Sequence, residues 1–338
     1  MNPRVSIGLP VYNGENYLSL AIESLLAQTF GDFELIISDN ASTDGTGAIA
    51  RGYAAGDHRV RYVRQPVNRG AGWNFSETFR LAQGEYFKWA AHDDLCAPTF
   101  LERCLERLDR DPALVLCFSR AAVIDPSGNA VQEELPDNPQ VPNFQGISPA
   151  GEARRIELCG SARPHDRYLG VLVYSQRCYE VFGVIRSSAM RRTGLHRPYS
   201  GGEKVFLAEL SLLGRFAEID ETLFYSRWHD ERFSSNASSV AQALHMNPAA
   251  PRRFAWPRQV RSTCGYFSIL GGAPLSATER CLCLAAFGRY LLQAGKWGRA
   301  LREAVTGSGT TVRLPKVKEL PIVNCLTADA CPSLPNTQ

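Results

Sequence analysis

An α/β protein built on a mainly parallel sheet is what this chain predicts, and three observations predict it. Strand-like and helix-like apolar periodicities alternate over the first 125 residues. Short polar clusters stand where the strand patterns end, as in sheets whose strands all deliver their loops to one edge. Apolar residues make up 44% of the 338, enough for one enlarged α/β domain or about two ordinary ones.

Residues 5–12 read as a buried strand. Over 15–28, Leu18, Ala21, Ile22, Leu25 and Leu26 recur at helical spacing on one face. A second strand over 33–39 leads into the polar turn Asn40-Ala41-Ser42-Thr43-Asp44 and a helix to about Ala55. A short strand at 60–64, a helix at 72–82 and a strand at 85–91 follow, the last ending in His92-Asp93-Asp94. The helix over 98–111 turns Leu101, Cys104, Leu105 and Leu108 inward and Glu102, Arg103, Glu106 and Arg107 outward, and a fifth strand covers 114–124. This order implies strands joined by helical crossovers.

The rest of the chain is less regular. Residues 126–165, rich in Pro, Asn, Gly and Gln, predict a long mobile loop at the start of a second part spanning 126–235. A strand returns over 182–188, an apolar buried helix covers 203–213, and two short strands flank Asp220-Glu221 within 216–228. Helical patterns resume over 250–305, and 306–338, with Pro315, Pro321, Pro332 and Pro335, read as a disordered tail.

Composition removes several classes. Charged residues at 21% and the apolar content exclude disorder over the whole length. No apolar run of 18 residues is present, and the N-terminal residues run straight into a strand pattern, so the expectation is a cytoplasmic protein. Ten cysteines without a C-x-x-C pair read as buried free thiols rather than a zinc site or disulfide framework. The sequons at Asn40, Asn74 and Asn236 carry no weight in that setting. Residues 252–338 hold twelve Lys and Arg against four acids, a net +8, leaving −5 for the remainder. That asymmetry suggests an anionic partner: peripheral contact with the inner membrane face through 252–318, or simply a solvated helical face. Nucleic acid is not indicated, because no recognition motif accompanies the charge.

The chemistry should sit at the carboxyl edge of the sheet, where Tyr12-Asn13, Asp39-Asn40, Asn68-Arg69-Gly70 and His92-Asp93-Asp94 all fall. An aromatic, an aspartate, an Asn-Arg pair and adjacent carboxylates suit a base, a ribose and a diphosphate with its cation. Two neighbouring carboxylates at a strand end call for a compensating cation, and oxygen ligands select Mg²⁺ or Mn²⁺. Asp93-Asp94 also suits a helix N-cap, though four clusters together favour the site. Gly45-Thr46-Gly47-Ala48-Ile49-Ala50 matches a dinucleotide fingerprint, but five polar residues separate it from its strand, and the fingerprint requires the glycine almost at once.

The segments V-S-I-G-L-P-V-Y-N-G-E-N-Y-L, S-L-L-A-Q-T-F, E-L-I-I-S-D-N-A-S-T-D-G-T and G-E-Y-F-K-W-A-A-H-D-D-L resemble the inverting family-2 glycosyltransferases of the GT-A fold, most specifically over 4–110. The resemblance makes 1–125 the nucleotide-sugar-binding half and 126–235 the acceptor-binding half. It implies that Pro10 and Tyr12 frame the nucleobase and that Asp39 hydrogen-bonds the base or ribose. Asn68 and Arg69 lie by the diphosphate, Asp93 faces the ribose or the outer shell of the metal, and Asp94 ligates Mn²⁺ or Mg²⁺. The first carboxylate of the common Asp-x-Asp-Asp form is absent, with Ala91 and His92 in its place. Phe75-Ser76 replaces a customary Arg-Asn, leaving Arg69 or Asn74 as substitutes. Gly201-Gly202-Glu203-Lys204 stands where the family keeps its general base, so Glu203 is the candidate, its other reading being a helix-start acid. His229, in Arg227-Trp228-His229, could ligate the metal or meet the diphosphate; Arg186 reads as structural. The implied function is metal-assisted transfer from a UDP-sugar to a saccharide or lipid-linked saccharide in envelope or exopolysaccharide synthesis. A non-catalytic nucleotide-sugar-binding protein and a sugar nucleotidyltransferase are the other readings.

Overall fold

A computed structural model describes residues 2–131, 148–229, 239–249, 258–293 and 297–298. Its centre is one eight-stranded sheet with helices on both faces. The first half follows the sequence pattern: β1 (Val5–Val11), α1 (Leu18–Leu26), β2 (Phe33–Asp39), α2 (Thr46–Gly56), β3 (Val60–Arg64), α3 (Ala71–Arg80), β4 (Tyr86–Trp89), a two-residue β5 (Leu95–Cys96), α4 (Phe100–Arg110) and β6 (Leu114–Ile124). The second half contributes α5 (Pro149–Cys159), α6 (Pro164–Leu169), β7 (Val184–Arg186), α7 (Ser187–Met190), α8 (Gly202–Leu213), β8 (Arg215–Arg227), α9 (Ser239–Met246), α10 (Arg258–Gly272) and α11 (Ala277–Leu291).

The strand order is β3-β2-β1-β4-β7-β6-β8-β5. β3, β2, β1 and β4 run parallel, as do β6 and β8, while β7 is antiparallel to both its neighbours and β5 to β8. Alternation along the strands divides the core. Val5, Ile7, Leu9 and Val11 pack with Leu101, Leu105 and Leu108 on one face. Phe87 and Trp89 pack with Phe206, Leu210, Tyr266 and Tyr290 on the other. Six of the eight cysteines among the described residues are buried, and all eight are free thiols.

Three expectations are corrected. The loop expected over 126–165 contains α5: Ser148 accepts a hydrogen bond from Gly151 N at 3.0 Å, and Pro149 fills the first turn, a start signal that the surrounding Pro and Gly obscure. Residues 132–147 of that loop lie outside the described residues. The two strands expected around Asp220-Glu221 are one continuous strand, β8, because β6 pairs with both halves and the register jumps from Ser119↔Ile219 to Arg120↔Thr222. Asp220 and Glu221 form the bulge, and Asp220 pairs there with Arg120. The strand expected over 182–188 shrinks to Val184–Arg186, preceded by a 3₁₀ turn and followed directly by α7. Arg186 is structural, donating to the carbonyls of Leu114 and Leu108 at 2.8 and 2.5 Å and to Tyr86 Oη at 3.0 Å. The tail over 306–338 lies outside the described residues.

Candidate active site

Strand order places the crevice. β2 and β3 lie to one side of β1 and β4 to the other, so the crossovers diverge and leave a gap at the carboxyl ends of β1 and β4. The four polar clusters meet there in series. Asn13 N donates to Ser42 Oγ and Gly14 N to Thr46 Oγ1, both at 2.9 Å, and Asn13 Oδ1 accepts from Thr43 N at 2.9 Å. Asn40 Nδ2 donates to Asn68 Oδ1 at 2.9 Å, and Arg69 N donates to Asn40 Oδ1 at 3.0 Å. A Cβ on Gly14 would lie 2.5 Å from the His92 ring, which joins the first cluster to the last.

Asp39 is fully buried and engaged on both oxygens. Oδ1 accepts from Ser42 N at 2.7 Å; Oδ2 accepts from Tyr62 Oη at 2.7 Å and Arg64 Nη1 at 2.8 Å. Burial pushes its pKa up, but hydrogen bonds from Ser42 and Tyr62 and the Arg64 charge outweigh it, so the carboxyl sits below the usual range. The stability this gives is complete above the ordinary carboxylate pKa and is lost as pH falls through the depressed one. In the window below about pH 4 the slope of stability against pH should therefore flatten in Asp39→Asn, which acid titration followed by circular dichroism would read.

Pro10 lies inside β1, buried and paired in register with Ser38, whereas Tyr12 is 39% exposed at the strand's end. Asn68 Oδ1 also accepts from Gly70 N at 2.8 Å, and the Arg69 guanidinium stacks on Trp73 with 4.5 Å to the ring centroid. Asn74, expected as a substitute at the diphosphate, is a buried clip instead: it accepts from Ser38 Oγ at 2.6 Å and donates to Ser38 O at 2.8 Å. Arg69 alone of that pair faces solvent.

Gly70 enters α3 with φ +89° and ψ 158°, and a Cβ there would stand 2.5 Å from the carbonyl oxygen of Met246 at the end of α9. That conformation belongs almost entirely to glycine. Gly70→Ala should cost about 2–3 kcal/mol of stability, measured by thermal melting.

The carboxylate pair is anchored from across the sheet. Asp94 is buried, and its Oδ1 accepts from Arg227 N at 2.9 Å. The Arg227 guanidinium, itself 1% exposed, donates to the carbonyls of Asp93, Asp125 and Pro126 at 3.0, 3.1 and 3.0 Å and lies over the Tyr17 ring. Tyr17 is a site-building residue with no sequence signal, and Arg227, expected only as the first residue of Arg227-Trp228-His229, holds the backbone beneath the carboxylates. His229 Nε2 meets Asp93 Oδ2 at 3.1 Å, and its ring packs on Tyr17 at 4.8 Å.

Carboxylates and an imidazole are donor types that Mn²⁺ or Mg²⁺ accepts, and His229 Nδ1 is a buried polar atom without a hydrogen-bond partner among the described residues. Among the described residues no three His, Cys, Asp or Glu groups are gathered closely enough to enclose an ion. Asp93 and Asp94 alone therefore offer a partial set of oxygen ligands, which a divalent cation would have to complete from groups outside the described residues or from a ligand.

Glu203 comes from a separate element. Gly201, at φ +90°, turns the chain into α8, and a Cβ there would lie 2.7 Å from Ser262 Oγ of α10. The Glu203 side chain is 29% exposed, with Arg258 Nη2 at 3.9 Å. Residues 197–198 join this turn to the start of α3: a Cβ on Gly202 would meet Arg197 O at 2.5 Å, and one on Gly72 would meet Pro198 Cα at 2.8 Å.

With this geometry in hand, comparison with known proteins is direct. The family described as glycosyl transferase family 2 matches residues 6–162, which hold β1 to β6 and the whole strand-end cluster apart from Arg227 and His229. Residues 6–162 are thus similar to the glycosyl transferase family 2 domain. A glycosyltransferase of Rickettsia typhi, named uncharacterized, is 40% identical over 119 residues, 34% of this chain and 36% of that protein. Chondroitin synthase of Escherichia coli is 36% identical over 129 residues, 38% of this chain and 19% of that enzyme. The chain thus spans about a third or less of the length of these relatives. Among solved structures, S. aureus TarS 1-349 in complex with UDP-GlcNAc superposes with a TM-score of 0.59 at 16% identity, covering 90% of this chain and 76% of that one. The curled, mostly parallel sheet flanked by helices is the GT-A architecture. Among the described residues no helix is long and apolar enough to cross a membrane.

Proposed function

We propose that the protein is an inverting glycosyltransferase, moving a sugar from a UDP-sugar to a hydroxyl of a saccharide or lipid-linked saccharide acceptor in envelope or exopolysaccharide synthesis. The observation that carries this reading is the convergence of four strand-end clusters on the crevice between β1 and β4, with Asp93, Asp94 and His229 at one end. The family match and the UDP-GlcNAc held by the TarS structure support it.

In this reading the exposed Tyr12 ring and Pro10 border the nucleobase, and Asp39 fixes Tyr62, Arg64 and the Ser42 turn around base and ribose. Asn68 and Arg69 flank the diphosphate. Asp94 would hold a divalent cation with Asp93 and His229 beside it, and the bound ion would neutralise the leaving nucleoside diphosphate as a Lewis acid. Arg227 keeps the carboxylates in place by holding the backbone that carries them. Glu203 accepts the proton of the acceptor hydroxyl as that oxygen attacks the anomeric carbon. Inversion needs this one base and no covalent intermediate.

A binding protein without turnover is favoured by two features, the Ala91-His92 pair in place of a further carboxylate and Glu203 where the resembled family keeps an Asp. A nucleotidyltransferase is disfavoured by the turn after β1, where Glu15 accepts from Gly45 N at 2.6 Å and no basic side chain stands between Tyr12 and Asn16. Incubation with UDP-, GDP-, dTDP- and CMP-sugars in Mn²⁺, followed by chromatography of the released nucleotide, tests the proposal. Release of UDP supports it. Binding without release or transfer in any acceptor extract would favour the binding-protein reading.

A further inference from the structure

The two C-terminal helices present a surface that nothing in the sheet explains. Five of the nine large apolar side chains exposed among the described residues, Phe267, Leu282, Leu284, Leu291 and Leu292, lie on α10 and α11 or at the end of α11. α11 buries Cys283, Ala286 and Tyr290 against the core, so its opposite side should be polar. That opposite side instead carries Cys281, Leu284, Ala285, Gly288, Leu291 and Leu292, spaced by three and four residues and free of charge. The Phe267 and Phe287 rings, 5.8 Å apart, carry the apolar surface across to α10.

The two helices are predominantly basic. Residues 258–293 contain Arg258, Arg261, Arg280 and Arg289 against a single acid, Glu279, which closes the capping box with Ser276. The wider segment 252–338 carries +8, against −5 for the rest of the chain. An uncharged apolar face flanked on α11 by Arg280 and Arg289 matches an anionic bilayer surface, which takes apolar side chains at the acyl boundary and cations at the headgroups. We infer that the α10–α11 hairpin is a peripheral docking surface for anionic phospholipid. Its position gives it a use: α10 begins beside Glu203, and Phe267 lies about 14 Å further along the helix from Arg258. A lipid-linked acceptor held in the bilayer would thereby meet the acceptor side of the crevice, a consequence that rests on the transferase reading, whereas the docking itself does not.

The test is co-sedimentation of the full chain with vesicles of phosphatidylcholine containing roughly 30 mol% phosphatidylglycerol, and with phosphatidylcholine alone. Binding is expected to the anionic vesicles, to weaken with salt, and to fall about tenfold or more in Phe267→Glu/Leu292→Glu. These side chains are 58% and 82% exposed, so the double variant should fold with an unchanged thermal midpoint. Equal binding by variant and parent, or no binding by either, overturns the inference. So does self-association without lipid that the same substitutions abolish, which would give the face to a second copy of the chain. UDP titration of both proteins reads the donor site separately, so failure of one reading leaves the other standing.

Discussion

Asp94→Asn is expected to leave the fold standing and to reduce sugar transfer by roughly a thousandfold. The amide oxygen can still accept from Arg227 N, as Asp94 Oδ1 does at 2.9 Å, so the anchoring of β8 survives. What disappears is the negative charge, and with it the attraction for a divalent cation at the diphosphate. Asp94→Ala goes further, leaving a buried N–H without its acceptor at a cost of about 1–3 kcal/mol. The two variants should therefore lose cation-dependent UDP binding to the same extent but differ in thermal midpoint. Calorimetry with Mn²⁺ and with EDTA, paired with melting curves, separates charge from anchoring. Full cation-dependent binding by Asp94→Asn would remove Asp94 from the role assigned to it.

The second large effect belongs to Glu203→Gln. The amide keeps the size of the side chain but cannot take a proton, so transfer should fall by about 10²- to 10⁴-fold. Donor binding should stay within about twofold of the parent, since Glu203 sits on α8 and Asp94 at the end of β4. Steady-state kinetics with a UDP-sugar read the first number and calorimetry the second. Equal damage to binding by the Asp94 and Glu203 variants would contradict this division of labour. A retained rate in Glu203→Gln would return that residue to its other reading, an acid at the start of a helix.

Much of this site could be read from the chain because its parts are local. A strand followed by a short polar cluster is a contiguous signal, and four such signals place Tyr12, Asp39, Asn68 and Asp93 on one sheet edge before any coordinate is known. The elements β1, β2, β3 and β6 follow from the same kind of pattern. What escaped depends on distance along the chain. Arg227 reaches Asp94 across 133 residues, and nothing beside it in sequence says that its guanidinium will be buried against three carbonyls. Asn74 looked available for a diphosphate, yet Ser38, 36 residues away, already satisfies its amide. The bulge at Asp220-Glu221 reads as a break because two acids interrupt an apolar run, while its continuity is a property of the β6 partner. The start of α5 was hidden by Pro149, which marks a loop in isolation and a helix start once Ser148 caps it.

The central claim is that the β1–β4 crevice binds a nucleoside diphosphate with the help of a cation. Calorimetric titration of UDP, GDP, dTDP and CMP into the full chain, in Mn²⁺ and again in EDTA, tests it most directly. The account predicts one preferred nucleotide, UDP, with binding that EDTA weakens at least tenfold. No binding to any of the four in Mn²⁺ would contradict it, and the strand-end clusters would then be holding the sheet edge together rather than a donor.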